Sequence, residues 1–103
     1  VAGSSLTDEA AVELERVLSA IADRHRLRIL NMLARAGSSI CVCEFTVELD
    51  LSQQNVSYHL KQLVDAGVVS RERRGRYSYY ALVEGALGQI AALVSTPGER
   101  LAA

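Results

Sequence analysis

Residues Ser52 to Gly67, SQQNVSYHLKQLVDAG, constrain the fold most. They spell one short amphipathic helix closed at both ends. Ser52 stands where an N-cap belongs, and Gly67 where a glycine follows a helix. Val56, Leu60, Leu63 and Val64 fall on one helical stripe. The other face carries Gln53, Gln54, Ser57, Tyr58 and Lys61. It is polar, nearly uncharged, and rich in groups that donate and accept hydrogen bonds. Such a face suits base edges and phosphates in a DNA major groove. An ordinary solvated helix shows the same pattern, so the neighbouring segments must decide.

Upstream, Ser5 to Asp8 fits an S-x-x-D capping pattern, with Thr7 as a second N-cap candidate. A helix is predicted from there to about Ala22, with Leu14, Val17, Leu18 and Ile21 on one face. Asp23 caps a second helix, Arg24 to Ala36, with Leu27, Ile29, Leu30 and Leu33 apolar. Its arginines are read as solvated or paired with acids. Gly37-Ser38-Ser39 breaks that helix. Ile40 to Cys43 follows, then a short helical piece, Glu44 to Leu49. Asp50-Leu51-Ser52 is a tight turn into the capped helix. Two short helices joined by such a turn make a helix-turn-helix.

Downstream, VVSRERRGRYSYYAL from Val68 to Leu82 alternates around Gly75, which marks a β-hairpin. Arg71, Arg73, Arg74 and Arg76 crowd its tip. Four arginines are more than edge protection needs. A basic hairpin after a helix-turn-helix reads as a wing against the phosphate backbone or minor groove. Glu84 to about Val94 forms a last helix, apolar over more than one stripe, so it is buried or packs against another copy. Pro97-Gly98 ends it.

Charge follows this division. Residues 1–50 carry five Arg against eight acids, residues 51–83 five basic residues against two acids, and residues 84–103 one Arg against two acids. The basic excess is confined to the turn-helix-hairpin segment, as contact with a polyanion requires. The 103-residue chain is half hydrophobic, with one Phe, four Tyr and no Trp. One mainly helical domain, 1–103 with a core at about 6–95, is the expected organisation. Its apolar runs are too short to span a membrane, and no signal-peptide pattern opens it. The two cysteines, Cys41 and Cys43, are too close in sequence for a good mutual disulfide, and reduced thiols in a cytoplasm fit them better.

Three motifs carry a family resemblance. Asp23-Arg24-His25-Arg26-Leu27-Arg28-Ile29-Leu30 resembles a D-x-x-R-L-x-I-L helix. Ser52 to Leu60 resembles an S-Q-x-x-V-S-x-H-L recognition motif. Cys41-Val42-Cys43-Glu44-Phe45 resembles a C-V-C-D/E-L box. Together, over about residues 10–95, they resemble the ArsR/SmtB family of winged-helix metalloregulatory repressors, in its arsenic-responsive branch. The resemblance implies a mainly α (α+β) winged helix-turn-helix of about five helices plus a two-stranded hairpin wing. It implies a homodimer through the first and last helices, and a double-stranded operator with an imperfect inverted repeat. Ser52, Gln53, Gln54, Ser57, Tyr58 and Lys61 would meet bases and phosphates, and Arg73, Arg74 and Arg76 the backbone. His59 either joins them or packs inside.

The resemblance also implies As(III) or Sb(III) as inducer, bound by Cys41 and Cys43, with no organic cofactor. The third cysteine of the family box is here Thr46, so a cellular thiol or water must complete the set. On a regular helix residues two apart diverge. The expectation is therefore that both sulfurs meet one ion only if the chain at Cys41–Cys43 is non-helical or unwinds, distorting Glu44–Leu49 and releasing DNA. Residues 1–40 contain no Cys for a cadmium or lead site, and residues 84–103 contain no His for a zinc site. Oxidation of the thiols is an alternative signal, and an interaction module that never meets DNA an alternative role. No orienting group or phosphate loop accompanies Cys41, Cys43, His25 or His59, so no enzyme is expected.

Overall fold

The computed structural model describes residues 6–94. The first helix, α1, spans Asp8–Ile21, and the Thr7 side chain accepts the Ala10 N–H at 3.1 Å. Thr7 is therefore the cap; the alternative, Ser5, lies outside the described residues, as does Pro97-Gly98. Helix α2 spans Arg24–Ala36. The Asp23 carboxylate accepts the N–H groups of His25 at 2.8 Å and Arg26 at 3.1 Å, which satisfies two otherwise orphan donors. Gly37 ends α2 with φ +67°.

The next helix, α3, spans Val42–Leu49, two residues longer at its start than expected, with Cys41 as its N-cap. Asp50 reverses the chain in the left-handed region at φ 56°, and its N–H returns to the Thr46 carbonyl. Helix α4 spans Gln53–Asp65, and the Ser52 hydroxyl accepts the Asn55 N–H at 3.1 Å. At its far end Gly67 adopts φ +83°. Val68 N–H then reaches Leu63 O at 3.2 Å and Gly67 N–H reaches Val64 O at 2.9 Å. That pair of bonds is a Schellman closure, which requires the left-handed residue Gly supplies without strain.

The wing is the expected two-stranded hairpin, and a third antiparallel strand joins it: β1 Ile40–Cys41, β2 Val69–Arg74 and β3 Tyr77–Leu82, in the order β1-β3-β2. Gly75, with φ +66°, opens the two-residue turn between β2 and β3. The extra strand pairs Ile40 with Tyr80 and Cys41 with Tyr79. It ties the start of α3 to the base of the wing. The last helix, α5, spans Gly88–Val94. It starts later than expected because Gly85, at φ +80°, holds Glu84–Leu87 in turns.

One apolar core joins these elements. Ile29, Leu30 and Leu33 come from α2, Phe45 and Leu49 from α3, and Val56, Leu60 and Leu63 from α4. Ile40, Val69 and Tyr80 close it from the sheet. Leu27 is not part of it: it is 53% exposed on the outer side of α2. Helix α1 buries none of its residues, although Val17 and Ile21 lean on the core. The result is a winged helix-turn-helix, α3-turn-α4 with a β2-β3 wing. No helix among the described residues is long and apolar enough to cross a membrane.

Candidate nucleic-acid interface and thiol pair

The stripe that buries Val56, Leu60 and Leu63 turns the opposite face of α4 outward. Gln53, Gln54, Ser57 and Lys61 are all exposed, and Tyr58 is 56% exposed. Ser52 is exposed too, although its hydroxyl already caps α4. Lys61 Nζ lies 3.0 Å from Asp65 Oδ2, an exposed pair of little strength that a phosphate can replace.

His59 does not share this face. Its side chain is 12% exposed and faces the start of α2. Its ring lies 5.3 Å from that of His25, and its Nδ1 is 3.9 Å from Asp23 Oδ1, beyond hydrogen-bond reach. Burial lowers the His59 pKa and the Asp23 carboxylate raises it, while Arg26 and His25 add to the lowering; the net shift is downward. For Asp23 burial is the largest influence and raises the pKa, but the N–H bonds from Arg26 and His25 and the neighbouring charges bring it below the usual value. At neutral pH His59 is thus uncharged and the approach is no ion pair. The unfolded chain binds a proton at His59 more readily than the folded one. Stability should therefore fall as pH drops through the ordinary value of 6.5 toward the lowered one. Following the thermal midpoint from about pH 8 to pH 5 checks this, with a flatter profile expected for His59→Gln.

Alternation along β2 sorts the arginines. Arg71 pairs with Tyr80 and Arg73 with Ser78, on the face that lower down carries Val69 and Leu82. Near the tip that face leaves the core and overhangs α4. Arg74 pairs with Tyr77 on the reverse face. It is held by Glu72 at 3.0 Å, by Ser39 at 3.3 Å and over the Tyr79 ring at 4.4 Å. Arg73 and Arg76 have no side-chain partner among the described residues, and Arg71 has only Ser78 at 3.3 Å. Between α4 and the wing runs an open groove of about 870 Å3. Gln53, Ser57 and Lys61 stand on one side, and Arg71, Arg73 and Arg76 on the other. Arg74, expected with Arg73 and Arg76 among the backbone contacts, thus lies on the opposite face of β2 from Arg71 and Arg73.

Cys43 and Thr46 open into the same groove. Cys41 is buried, Cys43 is exposed, and Cys43 Sγ donates to Cys41 Sγ at 3.1 Å. Of the two conditions under which the sulfurs could meet, a non-helical chain is the one that holds, because Cys41 is not on the helix. As N-cap it takes φ −73° and ψ 146°, held by its pairing with Tyr79 and by Glu44 accepting its N–H at 3.4 Å. The extended turn at Cys41 brings the two sulfurs together with α3 fully wound, so no unwinding is needed. The Cys43 thiol pKa is raised, first by its hydrogen bond to Cys41, then by burial and by the charges of Cys41 and Glu44. Cys43 therefore rests as a neutral thiol. Two thiolates bound at about 2.3 Å to one soft ion at a roughly right angle sit about 3.3 Å apart, close to the observed contact. Among the described residues no group of three His, Cys, Asp or Glu is placed to hold a metal ion. The thiols fit two bonds of a trivalent metalloid and leave one open.

Comparison with known proteins bears on this arrangement. A family model described as bacterial regulatory protein, arsR family, matches residues 23–71. The chain is 40% identical over 79 residues to an arsenical resistance operon repressor of Bacillus subtilis, covering 73% of this chain and 74% of that protein. It is 44% identical over 66 residues to the arsenic resistance transcriptional regulator ArsR1 of Pseudomonas putida, covering 64% of this chain and 51% of that protein, so it spans about half of that relative. Among solved structures, the AntR antimony-specific transcriptional repressor superposes with a TM-score of 0.73 at 26% identity, over 89% of this chain and 84% of that one. A homodimeric winged helix-turn-helix DNA-binding domain from Mycobacterium bovis superposes at 0.70 with 29% identity, over 91% and 86%.

Proposed function

The chain belongs to the ArsR family of bacterial regulatory proteins, and on that premise we propose that it is a dimeric repressor of an arsenical resistance operon, released from its operator when As(III) or Sb(III) binds Cys41 and Cys43. The observation that carries this reading is the 3.1 Å contact between the buried Cys41 thiol and the Cys43 thiol, which lines the groove between α4 and the wing. A ligand taken there lies beside the surface that would meet DNA. Cys41 is also fixed to β3, and Phe45 of the same α3 shares the core of α4. Strain at the thiols thus reaches both halves of that surface. The ligand need only bind the DNA-incompetent state more tightly.

In this reading Gln53, Gln54, Ser57 and Tyr58 read the major groove. Ser52, Lys61, Arg71, Arg73 and Arg76 hold phosphates. Arg74 braces the wing on its reverse face, and His59 braces α4 from within. Dimerisation through α1 and α5 is supported by the apolar face of α1, where Leu18 is 37% exposed beside Leu6, which precedes the helix and is 47% exposed, and by the homodimeric Mycobacterium relative. A two-fold dimer would read an imperfect inverted repeat.

Fluorescence anisotropy on the DNA upstream of its own gene tests the assignment. Arsenite should lower operator affinity by about 5- to 150-fold, the usual range of such coupling. Cys41→Ser and Cys43→Ser should bind the operator and ignore arsenite. Release by Cd(II), Pb(II) or peroxide alone would transfer the site to another thiol-directed signal. Absence of operator binding would leave an interaction module.

A further inference from the structure

We propose that the groove between α4 and the wing is a binding site for a small anionic thiol, which supplies the third sulfur to a metalloid held by Cys41 and Cys43. This rests on the metalloid reading above and names the partner that completes it.

The protein itself offers no third sulfur. Thr46, on the groove wall one helical turn after Cys43, spends its hydroxyl on the Cys43 carbonyl at 2.7 Å. Cys43 lines the groove while Cys41 is buried, so an ion held by both would turn its third position toward the groove. The groove is large enough for a peptide-sized molecule, since small-molecule sites run from about 300 to 1,000 Å3. Its charge is one-sided. Arg71, Arg73 and Arg76 stand across from Cys43, and its one acid, Asp65, is already taken by Lys61. Arg73 and Arg76 hold no partner of their own among the described residues. A ligand with a thiol at one end and carboxylates at the other matches sulfur to metalloid and carboxylates to guanidinium groups.

The exchange balances without a redox step. Arsenite enters as As(OH)3. Three As–S bonds form, from Cys41, Cys43 and the small thiol, and three As–O bonds break. Each thiol proton leaves with one hydroxide as water, and arsenic stays trivalent. The raised pKa of Cys43 is no obstacle, because the proton is delivered to the leaving hydroxide.

The site also explains release in a second way. Carboxylates on Arg71, Arg73 and Arg76 occupy the same groups that would meet DNA phosphates. The ternary complex and the operator then exclude each other, and each must weaken the other equally.

The test uses the full chain without DNA, in three matched solutions containing 2-mercaptoethanol, mercaptosuccinate or glutathione. Arsenite binding is followed by titration calorimetry, and composition by native mass spectrometry. The two carboxylate-bearing thiols should lower the arsenite needed for half-saturation by about tenfold relative to 2-mercaptoethanol, the worth of two exposed charge contacts. The mass should show one arsenic and one thiol per chain. Added salt, or Arg73→Ala with Arg76→Ala, should erase the difference between solutions. An advantage for glutathione alone would narrow the ligand to a peptide thiol and uphold the site. Equal binding in all three, or arsenic bound with no added thiol, overturns this inference alone. No arsenite bound in any solution overturns the metalloid reading and this one with it.

Discussion

Replacing Arg71 and Arg73 together with Ala should weaken operator binding by about 60-fold per protomer at roughly 0.1 M salt, about 4,000-fold for the dimer, and flatten its log–log salt slope by about 1.8 per protomer, about 3.6 for the dimer. The figure comes from counterion release. A phosphate contact on duplex DNA contributes about 0.9 to that slope, so near 0.1 M salt it is worth about eightfold. Both side chains stand on the groove face of β2 and lack an acidic partner among the described residues. Each is therefore free to trade water and a counterion for a phosphate. Arg74→Ala is the internal control. Its guanidinium lies on the reverse face, between Glu72 and the Tyr79 ring, and its loss should cost less than about threefold. Salt titrations of the three proteins on one operator separate the cases. Equal losses from Arg74→Ala and Arg73→Ala would remove the face assignment.

The same arginines show where the sequence was readable and where it was not. Caps and closures were plain in it, because Asp23, Ser52 and Gly67 act on neighbours a few residues away. So was the stripe of Val56, Leu60 and Leu63. The placement of His59 was available too: it lies three residues after Val56 and four before Leu63, which puts it on the inner side of α4. The strand period of two likewise separated Arg71 and Arg73 from Arg74, but not which face met α4; that depends on how the wing folds over the helix. The two-residue strand Ile40–Cys41 was beyond reach, since no periodicity exists in two residues and only the pairing with β3 creates it. With that strand unseen, the condition for both sulfurs to meet one ion, a non-helical or unwound chain at Cys41–Cys43, had no visible cause. Long-range pairing set the backbone at the residue on which the site chemistry turns.

That geometry sets up the second large effect. Thr46→Cys should tighten arsenite binding by about 100-fold and make it indifferent to added thiol. Thr46 follows Cys43 by three residues on α3, so both side chains lie over one face of the helix and open into the same groove. A thiol at residue 46 meets the ion at an effective concentration of at least about 0.1 M, against about 1 mM for a free cellular thiol, and the ratio gives the gain. The fold should tolerate the change. Thr46 is half-buried, and its carbonyl, not its side chain, receives the Asp50 and Leu51 N–H groups that close α3. The hydroxyl bond to the Cys43 carbonyl is lost, which is worth about 1 kcal/mol and leaves no buried donor stranded. Arsenite titrations with and without added glutathione, on parent and variant, measure both parts. A tighter variant that still depends on glutathione would mean the new sulfur does not reach the ion. A variant no tighter than its parent would mean the third bond is already met by water alone, and that two sulfurs at an N-cap suffice to hold the inducer.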